Sequence, residues 1–317
     1  MLSLMFNQFT SPLFFILILI SFSAFSQEYS SFDTYVYSVR AGEALELDVY
    51  SSSKEMAPTL LFVHGGGFYS GTRKEANIDH FCDSVSKAGF TVVNLSYHLY
   101  LKGQSFHCDQ PSAKKIKAFE SAAQDIRSAL HFLIENDSAL YVERSALMLS
   151  GSSSGAEAVL QAAFAPYGEG KMELEELIPE FQFKAVMAFA GAMTDLHWIN
   201  ESNACPIMLY HGTCDDLVPY AYAAHHYCPD ETVGALMLHG SYSIFEKYTS
   251  LNASIELVSA CGGKHGSCIF PIEKEIDEVI QFMQKALAGE KFSKHRTRVV
   301  SSKPCKHPTH DPCQAEN

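Results

Sequence analysis

Three serines stand in a row between two glycines at Gly151-Ser152-Ser153-Ser154-Gly155, inside the stretch LSGSSSGAEA. A run of this composition can be a flexible linker, a phosphate-binding turn or the seat of a catalytic serine. A phosphate cradle of the G-x-x-x-x-G-K-[ST] type needs a lysine after its second glycine, and none follows here. A linker needs polar, aperiodic flanks, whereas the apolar run ALMLS leads in and AEAVLQAAF leads out. The pattern G-x-S-x-G at a strand-to-helix junction lifts its middle serine above the edge of a sheet, and that register selects Ser153. Ser152 and Ser154 fall at the x positions, where the pattern asks for no hydroxyl.

A nucleophilic serine needs three kinds of partner: N–H donors for the oxyanion, a histidine to take the proton, and a carboxylate to orient that histidine. The first is offered by His64-Gly65-Gly66-Gly67-Phe68, directly after the apolar run TLLFV. Consecutive glycines let backbone N–H groups face a ligand without a Cβ in the way, and each such donor is worth on the order of 3–4 kcal/mol. His64 reads as a structural hydrogen-bonding residue rather than a proton shuttle. The carboxylate is offered by YHGTCDDLVPY, in which Asp215 and Asp216 are both candidates and the other is a solvated loop acid or helix cap. The histidine is offered by SACGGKHGSC. Of the 14 histidines, His265 is the one after Asp215 with both a strand before it and a glycine-rich setting. His239, in LMLHGSYS, is the nearest rival but leads into a helical stretch.

These loops need a frame that brings them together. Residues 32–38 and 45–50 read as two strands joined by the turn RAGE. TLLFV, GFTVVNLSYH, ALMLS, KAVMAFAG, PIMLYHG and SIELVSA read as further strands. Between them lie a partly helical stretch over 75–88, the long amphipathic run KKIKAFESAAQDIRSALHFLIEN, and AEAVLQAAF. Helices are also expected from about residue 221, over 244–250 and in IEKEIDEVIQFMQKAL. Apolar strands alternating with amphipathic helices predict an α/β fold with a mainly parallel central sheet covered on both faces and an antiparallel opening edge. No internal repeat is evident.

The domain reading is 1–26 signal peptide, 27–290 α/β domain and 291–317 a basic, disordered C-terminal tail. The apolar run PLFFILILISF, followed by Ala24-Phe25-Ser26, has signal-peptide length with a cut before Gln27, although no Lys or Arg precedes it. The expected location is therefore secreted or periplasmic, with an uncleaved anchor as the alternative. Net charge is −13, but residues from 291 onward carry six Lys/Arg against two acids, leaving −17 on 27–290. An acidic body argues against nucleic acid as the main partner. Export permits disulfides among the nine cysteines, and an odd count leaves at least one thiol unpaired. Cys261 with Cys268, bracketing His265, and Cys305 with Cys313 are the expected bridges. CKHPTHDPC also holds Cys305, His307, His310 and Cys313, but their spacing departs from zinc-site patterns, so a disulfide or a solvated tail is the preferred reading.

With HGGGF, GSSSG, HGTCDDLVP and GGKHG in this order, residues 45–287 resemble an α/β-hydrolase of the esterase/lipase type, near carboxylesterases with an HGGG oxyanion motif. The resemblance implies catalytic Ser153, Asp215 and His265. The acid maps to Asp215, the fifth position of H-G-T-x-D-x-x-V-P. Its oxyanion donors map to the backbone N–H groups of Gly66, Gly67 and Ser154. The chain departs from the family pattern at Gly155-Ala156, where many relatives carry Gly-Gly, and at Tyr97-His98-Leu99, where they carry Y-R-L. The stretch over 165–183 is short for a large lipase lid. The expected activity is a serine carboxylic ester hydrolase on small or carbohydrate-linked esters, with no metal or cofactor and no stable membrane insertion. The alternatives are an amidase, formamidase or peptidase of the same fold, or a non-catalytic binding protein on a hydrolase scaffold.

Overall fold

A computed structural model describes residues 31–52, 56–166, 174, 178, 181–310 and 312–313. The expected signal peptide and most of the 165–183 stretch lie outside the described residues.

The chain opens with β1 (Asp33–Arg40) and β2 (Glu43–Tyr50), which pair antiparallel across the expected turn at Ala41-Gly42. Then follow β3 (Ala57–Val63), α1 (Ala76–Lys87), β4 (Thr91–Leu95), α2 (Ser112–Glu135), the single turn α3 (Asp137–Leu140), β5 (Val142–Ser152) and α4 (Ser154–Phe164). The second half runs β6 (Ala185–Phe189), β7 (Ala192–Met193), β8 (Ile207–Gly212), β9 (Tyr222–Ala224), β10 (Met237–Gly240) and α5 (Ser241–Ser250). It closes with β11 (Ile255–Cys261), α6 (Phe270–Glu273), α7 (Ile276–Leu287) and β12 (Ser293–Val299). Nine strands form one sheet in the order β1-β2-β4-β3-β5-β6-β8-β11-β12. β2 meets β4 antiparallel, and every pair from β4 to β12 is parallel.

The central strands are nearly continuous apolar runs because both of their faces are covered. Leu61, Val93, Leu149 and Val186 pack with Ile126 and Leu130 of α2, Val159 and Leu160 of α4 and Tyr248 of α5. Leu60, Phe62, Val92 and Met187 pack on the other face with Ile78 and Phe81 of α1 and Val279 and Phe282 of α7. The expected α/β frame with its antiparallel edge is therefore present. Because the parallel strands all end at one edge, the loops after β3, β5, β8 and β11 emerge side by side.

Two helices expected from the sequence are altered in the structure. The segment from residue 221 is not helical: β9 pairs with β10, and β10 with β7, as a separate three-stranded sheet. A positive φ of 58° at His226 stops helical propagation there. IEKEIDEVIQFMQKAL is broken before α7, where buried Glu275 turns inward to Arg298 at 2.8 Å.

The largest correction concerns the tail. Residues from 291 onward are not a disordered appendage, because β12 pairs with β11 over seven residues. Its arginines land on acids of the body: Arg296 pairs with Glu256 and Glu278, and Arg298 with Glu275 and Glu278. The basic tail and acidic body are thus two halves of one contact. Both expected bridges are also wrong. Cys305 joins Cys214, Cys313 joins Cys261, and a third bridge links Cys108 to Cys228. Cys268 is a buried free thiol, as are Cys82 and Cys205. Proximity in sequence misleads here because β12 runs parallel to β11 and carries the tail back to where Cys214 and Cys261 leave the sheet. Among the described residues, no helix is long and apolar enough to cross a membrane.

Removing both tail bridges together, by Cys214→Ser, Cys305→Ser, Cys261→Ser and Cys313→Ser, is expected to lower stability by roughly 2–5 kcal/mol. Urea denaturation with a mass map of the non-reduced protein checks this, and a midpoint equal to wild type would refute the assigned role of the tail.

Candidate active site

Ser153 lies between the end of β5 and the start of α4 with φ 53° and ψ −127°, in a conformation that an L-residue rarely adopts. The turn is held from both sides. The Ser153 N–H donates to the Phe189 carbonyl at 2.8 Å. At Gly155, a Cβ would stand 2.1 Å from the Val63 carbonyl oxygen, so only glycine lets α4 come this close to β3. The side chain is thereby lifted over the sheet edge, as the G-x-S-x-G register predicts.

The loop after β11 returns His265 over that edge, and the loop after β8 brings Asp215 beneath it. Ser153 Oγ lies 2.7 Å from His265 Nε2, and His265 Nδ1 lies 2.8 Å from Asp215 Oδ2. With Nδ1–H donating to the carboxylate, Nε2 presents its lone pair to the serine hydroxyl. Asp215 is buried, and its Oδ1 accepts from the backbone N–H groups of Leu217 at 2.9 Å and Val218 at 3.0 Å. His211 Nε2 adds a contact to Oδ2 at 3.3 Å. Burial works against the charged carboxylate, but the hydrogen bonds and charges of His211 and His265 prevail and hold Asp215 well below the usual carboxylate range. Burial likewise opposes an imidazolium at His265, yet Asp215 outweighs it, so the His265 pKa is raised. Asp216 is not the partner of His265 Nδ1: it is partly exposed and faces Lys264 at 3.8 Å, adding only its charge to the raised His265 pKa.

The glycine loop after β3 sits alongside. Gly66 has φ +124°, and a Cβ on it would stand 2.0 Å from the Ser70 carbonyl oxygen. Its N–H has no protein acceptor among the described residues. Gly67 differs from expectation, because its N–H donates to Ser154 Oγ at 2.9 Å instead of facing an open site. The Ser154 hydroxyl is therefore not an idle substituent. It also meets the Tyr97 hydroxyl at 3.2 Å, and Tyr97 reaches the His64 carbonyl at 3.3 Å while its ring stacks on the His64 imidazole. Ser154 is the first helical residue of α4, where backbone N–H groups lack intrahelical acceptors and the helix dipole favours negative charge. His64, buried and bonded to the Gly65 carbonyl at 2.7 Å, has a structural setting.

A cavity of about 270 Å³ opens over Ser153 and His265, lined also by Gly66, Phe106, Glu157 and His225. Sequence reasoning gave no role in the site to Tyr97, His211, Glu157 or His225. Glu157 did carry a signal, as the one acid in the apolar helix AEAVLQAAF and one turn after Ser153. The adjacent histidines His225 and His226 carried none, because the approach of their loop to α4 is set only by tertiary folding. Among the described residues, no group of His, Cys, Asp and Glu has the arrangement of a metal site. Cys305 and Cys313 are spent in disulfides, while His307 and His310 stack on Tyr227 and Tyr242.

Residues 47–204 match the family model described as BD-FAE, an α/β-hydrolase-type esterase family. Among curated proteins, Gut esterase 1 of Caenorhabditis briggsae is 29% identical over 110 residues, which make up 35% of this chain and 19% of the worm protein. The matched stretch is thus well under two thirds of that relative. Among solved structures, Thermogutta terrifontis esterase 2 phosphorylated by paraoxon superposes with a TM-score of 0.59 at 16% identity, covering 83% of this chain and 95% of that one. Its butyrate-bound form gives 0.57 at 17% identity with the same coverage.

A fluorophosphonate probe is expected to label Ser153 and neither Ser152 nor Ser154, as read by peptide mapping. Ser154→Ala releases the Gly67 N–H and should slow labelling about ten-fold, in line with the loss of one hydrogen bond at roughly 1 kcal/mol or more. Labelling at wild-type rate in that variant would show that the Gly67–Ser154 tie is unimportant.

Proposed function

Because this chain is an α/β-hydrolase of the esterase type, we propose that it is a serine carboxylic ester hydrolase acting by two-step acyl transfer. The single observation that carries the reading is the Ser153–His265–Asp215 relay, with spacings of 2.7 and 2.8 Å, at the floor of an accessible cavity.

In the first step Ser153 Oγ attacks the ester carbonyl while its proton passes to His265 Nε2. Asp215 keeps the imidazole in the required tautomer and stabilises the imidazolium without itself taking the proton. The oxyanion is received by the Gly66 and Ser154 N–H groups at the positive end of α4, while Gly67 holds the loop in place through the Ser154 hydroxyl. Collapse of the tetrahedral species expels the alcohol, which takes the proton from His265. Water then gives its proton to the same nitrogen and attacks the acyl-enzyme, and the carboxylic acid leaves as Ser153 regains its proton.

The cavity volume favours small esters with short acyl groups, carbohydrate-linked acyl groups included. The propionate- and butyrate-bound forms of Thermogutta esterase 2 support the short-acyl reading. The three disulfides favour an oxidising compartment, which supports export directed by residues 1–26.

Ser153→Ala is expected to abolish hydrolysis of p-nitrophenyl acetate and butyrate, whereas Ser152→Ala should be mild. Undiminished turnover by Ser153→Ala would remove the assignment. The acid limb of kcat/KM should report His265: activity is lost as the imidazole protonates, with a midpoint above the ordinary value of 6.5. Asp215→Asn removes the interactions that raise this pKa, so the midpoint should move down and the rate should fall by about 10⁴-fold. A pH profile that Asp215→Asn leaves unmoved would contradict the pairing.

A further inference from the structure

The cavity over Ser153 has a second set of polar groups that the acyl-transfer relay does not use. Glu157 stands one turn along α4 from Ser153, and with His225 and His226 it lines the same cavity. Glu157 and His225 are each only 3% exposed. Glu157 Oε1 and His225 Nε2 lie 3.1 Å apart, yet they are not aligned as a hydrogen bond and neither atom has another protein partner. Buried polar atoms are seldom left unmatched, and an orphaned pair beside a nucleophile points to a group supplied by a ligand.

The loop that carries the histidines is built to hold them there. His226 and Tyr227 have φ values of 58° and 50°, two consecutive left-handed non-glycine residues, a strained conformation that persists only where its surroundings enforce it. The Cys108–Cys228 bridge clamps this loop to the segment bearing Phe106 and His107, and the Phe106 ring packs edge-on against His225. His225 Nδ1 lies 2.6 Å from His226 Nδ1, so one ring donates its proton to the other. When His225 is the donor, its Nε2 is left as an acceptor beside the Glu157 carboxyl.

Charge decides what can bind. Burial, with Asp215 adding repulsion, pushes Glu157 up to about 8 against the opposing pull of His265, His211 and Lys115. Burial pushes His225 down to about 3, helped by Lys115, His265 and His107 and resisted by Asp215. His226 is pushed down to about 3 by burial, His225, Lys115, His107 and His265. At neutral pH the wall therefore presents a protonated carboxyl and two neutral imidazoles, with no counter-charge for an ammonium or a carboxylate. A hydroxyl, which donates and accepts at once, matches it.

We propose that Glu157, His225 and His226 form a subsite that recognises a hydroxyl group on the substrate, so that hydroxylated esters are preferred over plain esters of equal length. The subsite rests on the ester-hydrolase reading of the same cavity. Two matched pairs test it: ethyl acetate against 2-hydroxyethyl acetate for the alcohol side, and ethyl butyrate against ethyl 3-hydroxybutyrate for the acyl side. The wild-type protein should favour the hydroxylated ester at least five-fold in kcat/KM in one pair. Glu157→Gln should bring that ratio towards one, and so should His226→Ala, whose side chain is only half-buried and which serves if the first variant does not fold. A wild-type ratio near one in both pairs, or a ratio unchanged in a folded variant, would overturn the subsite while plain-ester hydrolysis kept the hydrolase reading intact. No turnover of any of the four esters would overturn that reading and the subsite with it.

Discussion

The left-handed turn at Ser153 is the constraint on which the rest of the site depends. A non-glycine residue at φ 53° is strained by roughly 1–3 kcal/mol, and it persists only because neighbouring contacts allow no other path. α4 is pressed against β3 at Gly155, and the Ser153 N–H is tied to the carbonyl of Phe189 at the end of β6. The direction of the serine hydroxyl is thus decided by backbone packing across three adjacent strands. Everything else arrives at the same edge because parallel strands end together: the glycine loop after β3, the acid after β8 and the histidine after β11.

A second consequence of the parallel sheet is the part played by the C-terminal segment. β12 extends the sheet beyond β11, with its arginines on the carboxylates of Glu256, Glu275 and Glu278. Its two disulfides then reach Cys214, immediately before Asp215, and Cys261, at the start of the loop that carries His265. The acid and histidine loops are therefore both anchored to the same covalent strap. Asp215 and His265, which lie within hydrogen-bond distance, sit on loops from different strands, and the strap limits how far those loops can part.

Burial and one buried charge together set the electrostatics of the cavity. Asp215 stays ionised because two backbone N–H groups and two histidines meet its oxygens. That charge raises the pKa of His265 and also disfavours a second anion nearby. Burial pushes Glu157, in the same neighbourhood, towards its neutral form, and the Asp215 charge adds to that push. In the proposed reading one carboxylate serves the relay and the other a hydrogen-bonding wall, two roles set by environment.

Much of this was legible in the chain itself, where the signal was local. The apolar strand ALMLS, the glycines around Ser153 and the helix AEAVLQAAF together specify a strand–turn–helix, and the HGGGF, HGTCDDLVP and GGKHG loops each follow a readable strand. Periodicity marks both faces of a covered parallel sheet, and motif order marks which residues meet. What could not be read depended on contacts between segments distant in sequence. The disulfide partners are 52 to 120 residues apart, and the pairing of the two tail cysteines was settled by β12 lying parallel beside β11. The pairing of His225 with Glu157, the tie between the Ser154 hydroxyl and the Gly67 N–H, and the choice of Asp215 over Asp216 on geometric grounds belong to the same class. Local pattern determined which elements form and which edge carries the chemistry. Tertiary structure decided which polar groups face each other there, because partners and burial exist only once the chain has folded back on itself.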